Sequence, residues 1–253
     1  MDHNFSFRTD RYNFWPIYQA LKTYYPLGIE RREGGIYFKY PGIAELGKLV
    51  VENIHEKENY QSRWRDLTSK WSTELDHKII STTYGQEPSF SAYVELQNEE
   101  TSERIFEKRI HFAVSLIGPF YTLFATDLTT LIEPDPDIPV ASQKYGRRYQ
   151  QTHRSIISPY KEYSDLFVRL RSLIENDFEN HKFVPYTMHS AVLNGLQVRY
   201  RDDRLNRVYH GLFNQHFDFS STVVGDKYQY GFDQWLIENP NLSNDWTVNP
   251  LRK

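Results

Sequence analysis

Between Ile105 and Ile117 the sequence alternates with a period of two, and no other feature restricts the fold so tightly. Phe106, Ile110, Phe112, Val114 and Leu116 share one parity, while Glu107, Arg109, His111, Ala113 and Ser115 share the other. Successive side chains of a strand point to opposite faces, so the pattern predicts a half-buried β-strand with a wet second face. Gly118-Pro119 then supplies a turn. A type II′ turn takes Gly at its first central position, where φ is positive, and the second position accepts the φ of a proline ring. A loop of those two residues sets Leu116 opposite Tyr121, Val114 opposite Leu123 and Phe112 opposite Ala125, all on the apolar side. Ser115 then faces Thr122 and His111 faces Thr126. A one-residue slip would scramble this sorting, so this register is the expectation. Phe90, Ala92, Val94 and Leu96 alternate with Ser91, Tyr93, Glu95 and Gln97 and add a third strand across the polar loop 98–103. The result is an antiparallel meander centred on residues 90–126.

A sheet with one apolar face needs cover, and four helical patterns are available to provide it. Asn13 is placed to cap a helix over 14–25, with Pro16 in its first turn and Phe14, Tyr18, Leu21 and Tyr25 as its stripe. Ile43, Leu46, Val50 and Ile54 mark a helix over 43–55; Tyr60, Trp64, Leu67, Trp71 and Leu75 mark a second over 60–75. The short polar link 56–59 makes them antiparallel neighbours. The clearest helix spans 160–178, with Leu166, Phe167, Leu170 and Ile174 on its apolar face. Ile36–Tyr40 reads as a short strand between glycines and Pro41-Gly42, and Thr222–Tyr230 as a hairpin around Gly225-Asp226. Residues 183–200 hold strand patterns around Asn194-Gly195, and 207–213 fits helix or strand. The fold class expected is α+β: an antiparallel sheet packed by helices on its apolar face. Residues 1–253 are read as one domain. The polar, proline-studded stretch 131–154 reads as a long loop and the best candidate for an internal boundary.

Composition removes several functions. With 30 basic and 33 acidic residues the net charge is −3, which gives no global attraction to nucleic acid or anionic lipid. The absence of cysteine excludes disulfides, thiolate nucleophiles and cysteine-ligated metals, and fits a reducing compartment. Met1–Phe5 lacks the basic start and apolar core of a signal peptide. The longest apolar run, 110–125, is shorter than the roughly 18 residues of a membrane span and is broken by Gly118-Pro119. A soluble, cytoplasmic protein is expected. The 40 aromatic residues implied by 5 Trp, 19 Tyr and 16 Phe fit an aromatic core, or a recognition surface anchored by Tyr, Trp and Arg.

No nucleophile elbow, phosphate loop, dinucleotide fingerprint or zinc-protease motif occurs. No two of the 9 histidines stand at i, i+2 or i, i+4, so no metal is expected, and no cofactor. His216 and Asp218 stand at i, i+2 and can share one side of a strand. With His111, on the wetter face of the central hairpin, they are the groups an enzyme would use. Glu133, Asp135 and Asp137 gather carboxylates without the glycine of a calcium loop, and read as a solvated segment. Tyr145, Arg147, Arg148 and Tyr149 mix cations with aromatics, which suits an anchor for an acidic protein surface, or stacking and phosphate contact.

The sequence therefore favours a non-catalytic cytoplasmic binding protein that engages a protein partner through Tyr- and Arg-bearing loops. A toxin-neutralising immunity protein or an assembly factor is an example of that class. The alternatives are a hydrolase built on His111, His216 and Asp218 and, third, a nucleic-acid binder.

Overall fold

The computed structural model describes residues 11–29, 39–133, 147–198 and 206–237, with the backbone alone at Arg147. Its centre is a 7-stranded sheet in the order β1-β2-β3-β4-β5-β7, with β6 pairing off this path against β4. The strands are β1 Ile79–Ser81, β2 Ser89–Glu100, β3 Arg104–Ser115, β4 Phe120–Glu133, β5 Arg147–Ile156, β6 Lys182–Phe183 and β7 Thr222–Val224. Strands β1 to β5 run antiparallel in sequence order, whereas β6 and β7 join β4 and β5 in parallel. The α+β architecture and its meander are as the alternation requires.

The register of the central hairpin differs from the expected one by two residues. Val114 pairs with Tyr121, Phe112 with Leu123 and His111 with Phe124. The strands end at Ser115 and resume at Phe120, so the connection holds Leu116 and Ile117 as well as Gly118-Pro119. Ile117 is buried in the core, and its enclosure widens the loop beyond two residues. A shift of two keeps every side chain on its face. The face assignments therefore survive a wrong partner list.

The helices divide between the two faces. α1 is Trp15–Tyr24, opened by Asn13, whose Oδ1 accepts the Trp15 N–H at 3.1 Å. α2 is Pro41–Val50 and continues as a π-helical turn, Val51–His55. Pro41-Gly42, expected to end a strand, instead open this helix. Proline at the first turn gives up no hydrogen bond. A Cβ on Gly42 would lie 2.1 Å from the Thr23 carbonyl oxygen, so glycine lets α2 approach α1. The proposed strand at 36–40 otherwise lies outside the described residues. α3 is a rod in which Lys57–Tyr60 and Asp66–Leu75 are α-helical and Gln61–Arg65 is π-helical. α4 is Ser164–Asp177, α5 is Tyr186–His189 and α6 is Val208–Leu212.

On one face, Trp64 and Trp71 of α3 and Phe167 and Leu170 of α4 close over Phe90, Ile110, Phe112, Val114 and Leu123. Trp64 stacks on Phe90 at 5.2 Å and meets Trp71 edge-on at 6.2 Å. The Trp71 Nε1 donates to Asp177 Oδ2 at 2.7 Å, tying α3 to α4. The opposite face, expected to be wet, is also covered. Ala113, Phe120 and Phe124 join Ile17 and Leu21 of α1, Leu46 of α2, and Tyr209, Leu212, Phe213 and Phe217 in a second core. Two of the four helices thus pack on the face opposite the one expected. The small hydroxyl residues there are satisfied rather than solvated: Ser89 Oγ donates to the Phe213 carbonyl at 2.9 Å and Thr122 Oγ1 to that of Val184 at 3.4 Å.

Two further segments depart from the sequence expectation. Residues 131–133 and 147–154 are strand rather than loop, and Leu131 pairs with Tyr149. Both faces there meet water, so no apolar alternation marks the strand. Thr222–Tyr230 is no hairpin: β7 is parallel to β5, and after Gly225 (φ 117) Asp226 Oδ1 accepts the N–H groups of Tyr228 and Gln229.

Candidate functional site

The second core stops short of the far ends of β4 and β5, and a cleft of 610 Å³ opens there. Gln150 and Thr152 of β5, Arg207 and His210 at the start of α6, and the segment from Gln215 to Ser220 line it. Its shape comes from the segment after α6. Asn214 Oδ1 accepts the His216 N–H at 2.9 Å and the Tyr209 hydroxyl at 2.6 Å, which turns the chain back over the sheet. Phe217 then packs on Phe124 at 4.6 Å. Asp218 Oδ1 accepts the Ser220 N–H at 2.9 Å and its hydroxyl at 2.6 Å, closing the rim. The Arg207 guanidinium lies 4.6 Å over the Phe219 ring and donates to the Ser190 carbonyl.

His216 and Asp218 both line this cleft, on an irregular segment rather than the strand their spacing suggested. His111 lies beneath it rather than in it. Its ring stacks on Phe124 at 4.9 Å, and its Nε2 is 3.0 Å from the Thr126 hydroxyl, which is buried. His111 as a residue is half-buried, and desolvation, reinforced by the positive fields of Arg109 and His216, pushes its pKa down to about 3. His189 is pushed to about 3 as well, first by burial and then by His210 and Arg207. Both imidazoles are neutral at pH 7. Desolvation also lowers His216, whose ring bonds the Thr82 backbone. Its Nε2 stands 4.0 Å from Glu87 Oε2. Burial raises the Glu87 carboxyl to about 7, against the opposing backbone hydrogen bond from Gln215, and its Oε2 has no hydrogen-bond partner.

Asp218 Oδ1 is occupied by the Ser220 N–H and hydroxyl, and the Thr126 hydroxyl beside His111 is buried. Among the described residues no group of three or more His, Asp or Glu side chains is placed to hold a metal ion. Glu87, Arg207 and His210 were missed in the sequence. Glu87 carries no local signal, but the density of Tyr209, His210, Phe213, His216, Phe217 and Phe219 was visible as an unusual aromatic–histidine segment.

Three of the four partner-binding candidates, Arg147, Arg148 and Tyr149, fall on β5. Tyr145 and the side chain of Arg147 lie outside the described residues. Arg148 pairs with Ile132 and Tyr149 with Leu131, so the two side chains project from opposite faces of the sheet. Arg148 shares its face with Gln150 and the cleft. Tyr149 is 52% exposed and sits beside Leu131, which is 54% exposed. A second cleft, of 530 Å³, lies between the two π-helical turns and is lined by Asn53, Arg63, Phe90, Leu116 and Phe178 among others.

No protein-family model, curated protein or solved structure matches the chain, so geometry alone carries the functional reading. Among the described residues no helix is long and apolar enough to cross a membrane.

Proposed function

We propose that the chain is a non-catalytic binding protein that engages another protein through β5, with Arg148 and Tyr149 as anchors. A toxin-neutralising immunity protein or an assembly factor is the kind of protein meant, and a cysteine-free chain suits the cytoplasm. The observation that carries the reading is the exposure of Arg148, Tyr149, Gln150, Gln151 and His153 on a strand whose other residues are held in the sheet. Arg and Tyr concentrate binding energy in interfaces, and neither contributes here to a core. Capture from the source cells with wild-type and variant chains tests it. Arg148→Ala or Tyr149→Ala is expected to leave the melting temperature nearly unchanged and to weaken capture of a specific protein by about 2 kcal/mol. Full retention of that protein after both positions and Arg147 are replaced would move the interface elsewhere.

One observation favours the hydrolase as a second reading: His216 and Asp218 line the same cleft. Turnover of chromogenic esters, phosphoesters or glycosides that disappears in His216→Ala would give that reading priority.

A further inference from the structure

We infer that the outer edge of β5 accepts an extended segment of a partner protein as an added strand, with acidic side chains on one row and apolar side chains on the other. This rests on the binding role proposed for β5 and specifies its mode. The backbone comes first. β4 pairs with β5 from Arg147 to Ile156, but β7 covers the other side only at Arg154, Ser155 and Ile156. Among the described residues nothing pairs with the outer side of Arg147–His153, a length of roughly 20 Å at ~3.3 Å per residue. Alternate residues of such an edge turn both N–H and C=O outward, a ready template for another strand.

Exposed edges are ordinarily guarded, and the opposite edge of this sheet is. Beyond the short β1, the outer strand β2 carries Glu95, Glu99 and Glu100 and a bulge between Glu95 and Gln97. β5 has no acidic residue, no lysine and no proline. Its one irregularity, the register shift at His153, falls where β7 stops.

The two rows of side chains define the occupant. Arg148 shares its face with Gln150 and Thr152, which line the cleft. A carboxylate suits the exposed Arg148 on this row, since Asp218, the one acid among the described lining residues, already accepts two hydrogen bonds from Ser220. On the other face Tyr149 and Leu131 form an exposed apolar pair, which suits Val or Ile. Arg148 and Tyr149 are neighbours on opposite faces, so a partner docking on either face reads only one of them. A strand running along the edge reads both, taking affinity from main-chain bonds and specificity from alternate side chains.

The test uses the full chain and a fluorescein-labelled peptide of alternating Glu and Val. Two further versions carry N-methyl groups, one on the Glu amides and the other on the Val amides, since only one edge of the peptide faces β5. Anisotropy should show binding of the parent peptide, loss of about tenfold or more in one N-methylated form, and retention in the other. Arg148→Glu should weaken binding about tenfold or more, and an alternating Lys and Val peptide should not bind. Hydrogen exchange should slow at the amides of β5. Three outcomes would overturn the inference: no binding of the parent peptide at about 1 mM, equal binding of both methylated forms, or β5 protection produced by self-association without peptide. If the peptide fails while capture still depends on Arg148 and Tyr149, strand addition is lost and the binding role stands. If capture is also indifferent to them, both are lost.

Discussion

Ala113 and Val114 are consecutive residues of β3, each 1% exposed, and they look into different cores. Val114 belongs to the face that α3 and α4 cover, where the sheet supplies Phe90, Ile110, Phe112 and Leu123 as its own apolar surface. Ala113 belongs to a face built largely from Ser89, Ser91, Thr122 and Thr126, all buried. There Phe120 and Phe124 are joined by apolar mass from the cover, through Tyr209, Phe213 and Phe217. A sheet face becomes dry in either of two ways: by its own side chains, or by a distant segment that is aromatic and satisfies the hydroxyls it lands on.

The strongest way to break this comparison is to put a charge on each face. Val114→Asp and Ala113→Asp are both expected to prevent folding, since an unpaired buried carboxylate costs several kcal/mol. A sheet with one wet face would tolerate the second substitution. A cooperative thermal transition for Ala113→Asp, near that of the wild type, would therefore refute the second core.

The difference between the faces also explains what the sequence made legible. Alternation from Ile105 to Ile117 records parity, so strand, meander and first core follow from local pattern. It does not record partners, and a shift of two residues in the hairpin left no trace in it. The second core was hidden because its apolar half lies some hundred residues downstream, at 209–217, where histidines and aromatics obscure any period. The candidate site divides in the same way. His216 and Asp218 were readable as residues at strand spacing, whereas Glu87 approaches His216 from before β2 and Arg207 enters the cleft lining from before α6. β5 was misread because exposure on both faces removes the only periodic signal a strand has.

A smaller effect separates the cores by pH. Glu87, beside the second core, holds its proton up to about pH 7, against 4.5 in the unfolded chain. Below pH 4.5 both states are protonated and burial of the carboxyl carries no ionisation cost. Between 4.5 and 7 the unfolded chain releases its proton first, so stability falls as pH rises, and above 7 the full cost is present. Glu87→Gln should then add about 2 kcal/mol at pH 8 and close to nothing at pH 4. His111 and His189 act in the opposite direction. Their pKa values near 3 mean that the unfolded chain gains protons the native state refuses, so stability falls as pH drops from 6.5 toward 3. Together these groups set an optimum near neutrality. Urea denaturation of the wild type and Glu87→Gln at pH 4, 6 and 8 measures the effect. An equal gain at all three values would mean that packing, and not ionisation, separates the two side chains.

The smallest effect is expected where neither core reaches. Leu131 and Tyr149 face each other across β4 and β5 and are about half exposed, at 54% and 52%. Their contact is a cross-strand pair on a solvated surface, worth about 0.2–1 kcal/mol. Leu131→Thr and Tyr149→Thr keep strand propensity while removing the apolar contact, so each should cost less than about 1 kcal/mol. A double-mutant cycle isolates the pair, and its coupling should lie within the cross-strand range. The substitutions sharpen the contrast with Val114, which occupies the same sheet under the cover of α3 and α4. A cost of about 3 kcal/mol or more for either would show that this end of the sheet is buried as the first core is. The open edge of β5 would then be enclosed within the fold, and Tyr149 could not serve as an anchor for a partner.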